Sequence, residues 1–325
     1  MQAVLLTKRR SGATLQATKV GDHLQDYTIT HYYHSGFSVS CDNTILIFDY
    51  WLGEEGELTE HLQLTPEKLS RFEHIYVFIS HDHIDHMDPV VFTWKDVPGI
   101  QYVVASDVPV GTRGRRMAPG DVIAFSEDVK VSAFDSTDPG VSFLVDFRGL
   151  QVFHAGDLNF WHWRDESTMK EIEEADAEFR KALEPIAQHP VDIAFFPLDP
   201  RQGTMFEAGA NFFILSVKPR ILIPMHYFHR AEVAMEYART ASTRGTEVIA
   251  MPGYGDRLGV ELDEEGYLNL YIPEPEPEEP EAEETEVLLA EDDPFLESDL
   301  PLAQLAENQP EDPPEKTDGE AAPEA

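Results

Sequence analysis

Residues 74–86 read HIYVFISHDHIDH, an apolar run of strand length that leads into three histidines and two aspartates. The apolar run predicts a buried β-strand, so the polar residues lie at or just beyond its end. His81 and His83 are two residues apart and point the same way in extended backbone, while Asp85 and His86 can face a second position. Imidazoles and carboxylates mixed in this way are typical ligands of Zn²⁺, Fe²⁺ or Mn²⁺. The segment therefore predicts a metal site.

The pattern of ligand residues continues along the chain and resembles that of a known superfamily. The run His81-x-His83-x-Asp85-His86 resembles the signature of the metallo-β-lactamase superfamily. HAGD (154–157) is similar to the strand end whose aspartate bridges two metals there, and IPMH (223–226) to the strand end with the last histidine ligand. YHSGFSV (33–39) and MFEAGANFFILSVKPRILIPMH (205–226) resemble the branch that contains the ascorbate-phosphate lactonases.

This resemblance spans residues 27–252 and implies an α/β fold, a four-layer αββα sandwich with the metals at one edge. It implies two divalent ions, zinc or manganese, as cofactors. The implied ligands are His81 and His83 for one ion, Asp85, His86 and His226 for the other, and Asp157 between them. Asp85 and Asp157 are also the implied catalytic carboxylates, Asp85 by accepting a hydrogen bond from the attacking water.

One region departs from the superfamily pattern. Members usually carry a further histidine before the strand that leads to the bridging aspartate, but residues 132–143 read SAFDSTDPGVSF, without a histidine. Asp138 is the preferred replacement, with Asp135 or His162 as alternatives, and an oxygen ligand there favours a harder ion such as Mn²⁺. A site with one well-held ion and a weak or absent second one stays open.

Several side chains near the expected site are candidates for substrate binding. Asn159 and His162 follow the bridging aspartate in LNFWHW, whose two tryptophans either wall a pocket or merely cap the sandwich. Asp199 and Arg201 follow a strand that ends near His226; Arg201 suits a carboxylate or phosphate, or simply pairs with Asp199. His34 reaches the site from the opening hairpin or is a packed histidine. His154 is expected to support the ligands rather than bind metal.

The chain divides into three parts by composition. Residues 1–26 form an N-terminal extension, and residues 27–272 a hydrolase domain. In that domain, apolar runs of strand length alternate later with helical patterns at 165–188, 205–217 and 230–243. Residues 273–325 include EPEPEEPEAEETE and predict a disordered acidic tail, because repelling charge and few apolar groups cannot offset the ordering entropy. Residues 287–309 alone mix leucines with acids, and a short element that orders on a protein partner is the alternative there.

The charge balance excludes some partners. The formal net charge of −37 argues against a nucleic acid or an anionic membrane as the main partner, since both are polyanions. The single cysteine, Cys41, excludes an intrachain disulfide and fits a reducing compartment. No apolar stretch approaches membrane-spanning length, so a cytoplasmic protein is expected. The one compact basic run, GTRGRR (111–116), is a solvated loop or a local attractor of anions.

These observations predict a metal-dependent hydrolase that acts on a small, anionic ester, lactone or phosphodiester. Divalent ions lower the pKa of bound water and polarise a substrate oxygen, which makes hydrolysis the default reaction. The alternative is a non-enzymatic metal-binding or scaffold protein that has lost the second metal and binds partners through its tail. The oligomeric state is not determined by the sequence.

Overall fold

A computed structural model of the protein describes residues 24–109, 112–242 and 245–274. Within these ranges the strands are β1 Gln25–His31, β2 Phe37–Cys41, β3 Thr44–Phe48, β4 His74–Ile79, β5 Ile100–Ala105, β6 Arg115–Met117, β7 Val122–Ala124, β8 Val129–Phe134, β9 Ser142–Phe147, β10 Leu150–His154, β11 Ile193–Pro197, β12 Ile221–Met225, β13 Glu247–Val248, β14 Arg257–Leu262 and β15 Leu268–Tyr271. The helices are α1 Pro66–Leu69, α2 Met169–Ile186, α3 Ala208–Val217 and α4 Ala231–Ala241, with 3₁₀ turns at Glu60–Leu62, Pro89–Trp94 and Pro200–Gln202.

The strands form two sheets. The first has the order β15-β14-β1-β2-β3-β4-β5-β6, and the second β13-β12-β11-β10-β9-β8-β7. Strands β3 to β6 run parallel in the first sheet, as do β10 to β13 in the second. Because parallel strands end at the same edge, each sheet presents a row of carboxyl ends on which polar side chains can gather.

The two sheets pack face to face through aromatic side chains. Phe37 of the first sheet stacks on Phe195 of the second, with ring centres 4.4 Å apart, and Phe48 stacks on His154 at 5.1 Å. All four side chains are fully buried. Burying large rings between two sheets removes much apolar surface from water, which is the main force holding the layers together.

Helical segments cover the outer faces. Over the second sheet, Phe213 of α3 stacks against Phe196 of β11 at 4.4 Å. Over the first sheet the cover includes the 3₁₀ turn Pro89–Trp94, where the Tyr102 hydroxyl donates a 2.6 Å hydrogen bond to the Val91 carbonyl. The predicted four-layer α/β sandwich is therefore confirmed, with a shorter helical layer over the first sheet.

Helix boundaries differ from the sequence patterns at their first turns. The pattern at 165–188 begins too early, because Thr168 caps α2 with its side chain and Glu171 completes a capping box. The pattern at 205–217 also starts early, since α3 begins at Ala208, and it ends correctly at Val217, before Lys218 in the left-handed conformation. The strands β6, β13, β14 and β15 were not predicted, being short or at the end of the domain.

The two terminal predictions concern residues that lie almost entirely outside the described ranges. The N-terminal extension (1–26) and the acidic tail (273–325) therefore stay predictions, as does the segment 287–309. In the described part of the chain, no helix has both the length and the apolar character needed to cross a bilayer.

Candidate metal centre

Strand ends from both sheets meet at one edge of the sandwich and bring polar side chains together. The contributors from the first sheet are Asp49 after β3, residues 80–86 after β4 and His34 in the β1–β2 turn. Those from the second sheet are Asp138 in the β8–β9 turn, Asp157 after β10, Asp199 after β11 and His226 after β12. The strands are apolar and buried, so these polar groups appear only where each strand ends.

Asp157 lies between two groups of histidines. Its Oδ1 is 3.1 Å from Nε2 of His86 and 3.3 Å from Nε2 of His226. Its Oδ2 is 3.4 Å from Nε2 of His81, which in turn is 3.0 Å from Nδ1 of His83. This is the placement that the superfamily resemblance implies for a bridging carboxylate.

Asp85 faces the group that contains His86 and His226. Its Oδ2 lies 3.9 Å from Nε2 of His86 and 3.8 Å from Nε2 of His226. The Asp85 side chain is 20% exposed, whereas the two imidazoles are buried. Asp85 is therefore the carboxylate of this group that solvent reaches.

The structure brings Asp138 to the region where the superfamily histidine is missing. Asp138, His83 and Asp157 each offer a ligand atom within 4.8 Å of the others, and the first two are exposed. Asp135 is also exposed, and its Oδ1 accepts a hydrogen bond from the Ser136 backbone. Of the oxygen ligands considered from the sequence, Asp138 has the suitable position, and its metal role stays a prediction.

The distances between these atoms fit divalent metal ions. Two ligands at ~2.0–2.1 Å from a tetrahedral zinc ion lie about 3.4 Å apart. The observed separations of 3.0 to 3.4 Å around Asp157 and His81 match this spacing. Within the described ranges, Nε2 of His86, Nε2 of His226 and Oδ1 of Asp157 are buried without hydrogen-bond partners. Because buried polar atoms are rarely left unpaired, the residues present fit such a cluster.

Three of the histidines have a polar group next to Nδ1, which forms a hydrogen bond with His86 and with His81. The Nδ1 of His86 lies 2.8 Å from Oδ2 of buried Asp49, and the Nδ1 of His81 lies 2.9 Å from the Ser80 hydroxyl. The Nδ1 of His226 is 3.2 Å from Oδ2 of Asp199. In each case Nε2 is left to face the centre, which is the arrangement that metal-binding histidines usually have.

Asp157 and the histidines around it shift each other's pKa. Burial raises the pKa of Asp157, but the nearby His86 and His226 more than offset this and hold it well below its usual range. Burial lowers the pKa of His86, yet Asp157 and Asp49 raise it well above its ordinary value. His86 and Asp157 therefore favour each other's charged forms.

Asp199 has a different role from the predicted substrate contact. Its carboxylate is fully buried and accepts hydrogen bonds from the backbone and the guanidinium of Arg201 at 2.6 to 3.1 Å. Burial raises its pKa, but His226 and Arg201 lower it to about 2. Asp199 thus lies next to Nδ1 of His226 and away from solvent. The Arg201 side chain is 54% exposed, and its guanidinium lies 4.3 Å from the centre of the Phe228 ring. Arg201 therefore forms the predicted ion pair with Asp199 and still exposes part of its guanidinium to solvent.

His162 and Asn159 are turned into the protein. Both ring nitrogens of His162 are used, because Nε2 lies 3.0 Å from the Met205 carbonyl and Nδ1 accepts the Arg164 backbone N–H. His162 is therefore not placed as the alternative metal ligand or as a substrate contact. Asn159 is fully buried and its Oδ1 accepts the Phe160 N–H, so its predicted substrate contact is also unsupported by this geometry.

His34 lies deeper in the centre than a substrate contact would. Its Nε2 is 3.3 Å from Oδ2 of Asp85, and its ring centre is 4.0 Å from that of His226. His154, expected to support the ligands, has its Nε2 2.9 Å from the Ser35 carbonyl, and its Nδ1 accepts the Gly156 N–H and lies 3.7 Å from Oδ2 of Asp49.

Sequence reasoning missed Asp49 and Ser80. Asp49 ends the apolar run TILIF and accepts hydrogen bonds from the Ser80 backbone at 2.8 Å and the Ser80 hydroxyl at 2.6 Å. A lone aspartate at the end of a buried parallel strand next to the ligand strand was the available signal.

A cleft of about 480 Å³ borders Asp138. It is lined by the 135–139 turn on one side and by Glu178, Lys181 and Ala182 of α2 on the other. The basic run GTRGRR is described from Thr112 onward, and its Arg116 donates to the carbonyls of Ser106, Val108 and Pro109. Arg116 is thus a structural residue of its own loop.

Comparison with known proteins supports the fold and indicates metal chemistry in relatives. No protein-family model matches the chain. The chain is 25% identical to a UPF0173 metal-dependent hydrolase of Pyrobaculum neutrophilum over 209 residues, 60% of this chain and 81% of that protein. A protein of the same description from Pyrobaculum calidifontis is 24% identical over 209 residues. The structure of Igni18, a metallo hydrolase from Ignicoccus hospitalis, matches with a TM-score of 0.54 at 18% identity, covering 72% of this chain and 98% of that one.

Proposed function

We propose that this protein is a metal-dependent hydrolase whose centre holds two divalent ions, zinc or manganese. The observation that carries the proposal is the convergence of His81, His86 and His226 on Asp157 at separations of 3.1 to 3.4 Å. The similarity to proteins described as metal-dependent hydrolases agrees with it. Membership of the ascorbate-phosphate lactonase-like branch is part of the proposal.

The proposed ligands form two positions. His81, His83, Asp138 and Asp157 would hold an outer ion, and Asp85, His86, His226 and the other oxygen of Asp157 an inner one. Bound ions of this kind lower the pKa of water to near neutrality and polarise a carbonyl or phosphoryl oxygen. The Nδ1 partners of the histidines keep the Nε2 atoms aimed at the centre.

Asp85 is the proposed catalytic carboxylate toward water. Burial raises its pKa, but His34 and His86 hold it below the usual range, so the group is ionised at neutral pH. Its partial exposure lets Oδ2 accept a hydrogen bond from an attacking water, which orients the nucleophile. Asp157 has little exposure and instead keeps the two halves of the centre together.

The proposed substrates are small, anionic esters, lactones or phosphodiesters. Arg201 offers the outer face of its guanidinium beside the centre, and Lys181 lies across the cleft next to Asp138. Both cations suit a carboxylate or a phosphate group in a protein whose overall charge is strongly negative.

The test combines metal content with hydrolysis of lactone, phosphodiester and thioester panels, with Zn²⁺ and Mn²⁺ supplied in turn. Asp85→Asn should lower turnover by about 10²–10⁴-fold. Asp82→Asn is the matched control, since Asp82 is exposed in the same motif and should leave turnover unchanged. Bound metal without turnover on every panel would favour the non-enzymatic metal-binding alternative. Absence of bound metal would refute the proposed centre.

A further inference from the structure

His34 combines a buried imidazole that has no protein hydrogen bond, a property it shares with His31, with a place among the candidate metal ligands. The residue is 1% exposed, and neither ring nitrogen has a hydrogen-bond partner in the described part of the chain. His154 and His162, which are equally enclosed, each use both ring nitrogens. A buried imidazole without such partners indicates another ligand for it.

The position of His34 suits a metal ion as that ligand. Its Nε2 lies 3.3 Å from Oδ2 of Asp85, close to the separation of about 3.4 Å expected for two ligands of one zinc ion. One donor atom from each of His34, Asp85, His86 and His226 lies within 4.8 Å of the other three. The four donors are three imidazoles and one carboxylate, a set that suits zinc and similar ions.

The backbone holds this imidazole in place against a steric cost. His34 and His226 both have left-handed conformations, with φ of 55° and 63°. The backbone N–H of His226 donates a 3.3 Å hydrogen bond to the His34 carbonyl. Two non-glycine residues strained side by side, with their rings 4.0 Å apart, are typical of a ligand clamp.

We propose that His34 is a protein ligand of the inner ion, together with Asp85, His86 and His226. This inference rests on the proposed metal centre. Together with Oδ1 of Asp157, these four donors fill the inner position, whereas His83 and Asp138 of the outer position are exposed. The outer position is therefore the one where substrate and solvent exchange.

The competing explanation is that His34 only donates a hydrogen bond to Asp85. His34→Gln separates the two, because its side-chain amide can donate to Asp85 but is a poor metal ligand. His34→Ala removes both functions. His31→Gln is the matched control, since His31 is also buried without hydrogen bonds, lies in the same hairpin, and stacks on Phe37 outside the metal-ligand groups.

The experiment titrates each metal-free variant with Co²⁺, recording the visible spectrum and, by competition with a chelator, the affinity of the tighter site. The folded fraction is checked by urea unfolding in EDTA. We expect His34→Gln and His34→Ala to weaken the tighter site by about 100-fold or more, beyond the usual loss of a supporting partner, and to change its spectrum. The metal affinity of His31→Gln should stay within about threefold of the wild-type value, because the substitution removes no ligand.

Three outcomes would contradict the inference in different ways. If His34→Gln keeps the wild-type affinity and spectrum and only His34→Ala loses affinity, His34 donates a hydrogen bond to Asp85 and does not bind the metal. Unchanged binding in both variants would remove His34 from the site and leave the metal centre intact. A wild-type protein that binds no Co²⁺ would refute the metal centre and this ligand together.

Discussion

Asp49→Asn tests whether one buried carboxylate sets the protonation state of His86, a proposed metal ligand. Asp49 is almost fully buried, and its two oxygens accept from the Ser80 backbone at 2.8 Å and the Ser80 hydroxyl at 2.6 Å. The same carboxylate lies 2.8 Å from Nδ1 of His86. Because a carboxylate only accepts hydrogen bonds, Nδ1 carries the proton and Nε2 is free to bind metal.

Asparagine keeps the shape but replaces one acceptor with a donor. In one orientation the amide nitrogen meets the Ser80 N–H, and in the other it meets Nδ1 of His86 and favours the wrong tautomer. An orphaned buried donor costs about 1–3 kcal/mol, and weakening charged hydrogen bonds to neutral ones costs about 1 kcal/mol more. We expect the free energy of unfolding of the metal-free protein to fall by about 2–4 kcal/mol. Metal affinity should fall by about 10–100-fold.

The free energy is measured by urea unfolding in EDTA, and the affinity by competition with a chelator. Asp121→Asn is the control, because this exposed aspartate accepts one hydrogen bond, from the Ala118 backbone at 2.8 Å. It should change stability by no more than about 0.5 kcal/mol. If Asp49→Asn matches the control in both measurements, the role given to Asp49 is wrong.

Three further predictions concern a turn, a buried histidine and the metal itself. Gly140→Ala should destabilise the protein far more than Gly56→Ala. Both glycines have left-handed φ, but only at Gly140 would the added Cβ lie 2.0 Å from the Ser80 carbonyl oxygen. Equal losses of stability in urea unfolding would contradict this prediction. Burial lowers the pKa of His31 to about 4, below its value of 6.5 in the unfolded chain. The contribution of neutral His31 to the free energy of unfolding is therefore complete above pH 6.5, and about 3 kcal/mol of it is lost as the pH falls toward 4. His31→Phe, which keeps the stacking on Phe37, should flatten that part of the pH profile of unfolding in EDTA, and an unchanged slope would refute the assignment. EDTA should lower the free energy of unfolding by about 3 kcal/mol if free metal was present at about 100 times its dissociation constant, and a melting temperature that does not respond would count against a folded-state metal site.

The positions of the main proposed ligands at one sheet edge could be predicted because each follows an apolar strand. His81, His83 and His86 come directly after β4, and His226 directly after β12, so parallel strand order alone brings them to one edge. The layered fold follows from the same apolar runs, since strands buried on both faces need cover on both sides.

The supporting groups could not be predicted, because they depend on contacts between distant strands. Asp49 reaches His86 only since β3 lies beside β4, and Asp199 reaches His226 only since β11 lies beside β12. For His162 the sequence pattern predicts the correct neighbourhood but not the side-chain direction, which is set by the carbonyl of Met205. Local spacing determines which residues approach an edge, and tertiary hydrogen bonds determine which way they turn.

The division of the proposed ligands between two sheets has a consequence for how the protein folds. His34 and His81 belong to one sheet and Asp157 and His226 to the other, so neither half alone assembles the full set. Metal capture then becomes a late event that follows the closing of the sandwich, and a bound ion cross-links segments far apart in the chain. Such a cross-link lowers the unfolding rate. The metal-bound protein should therefore unfold much more slowly than the metal-free protein, while the refolding rates stay similar.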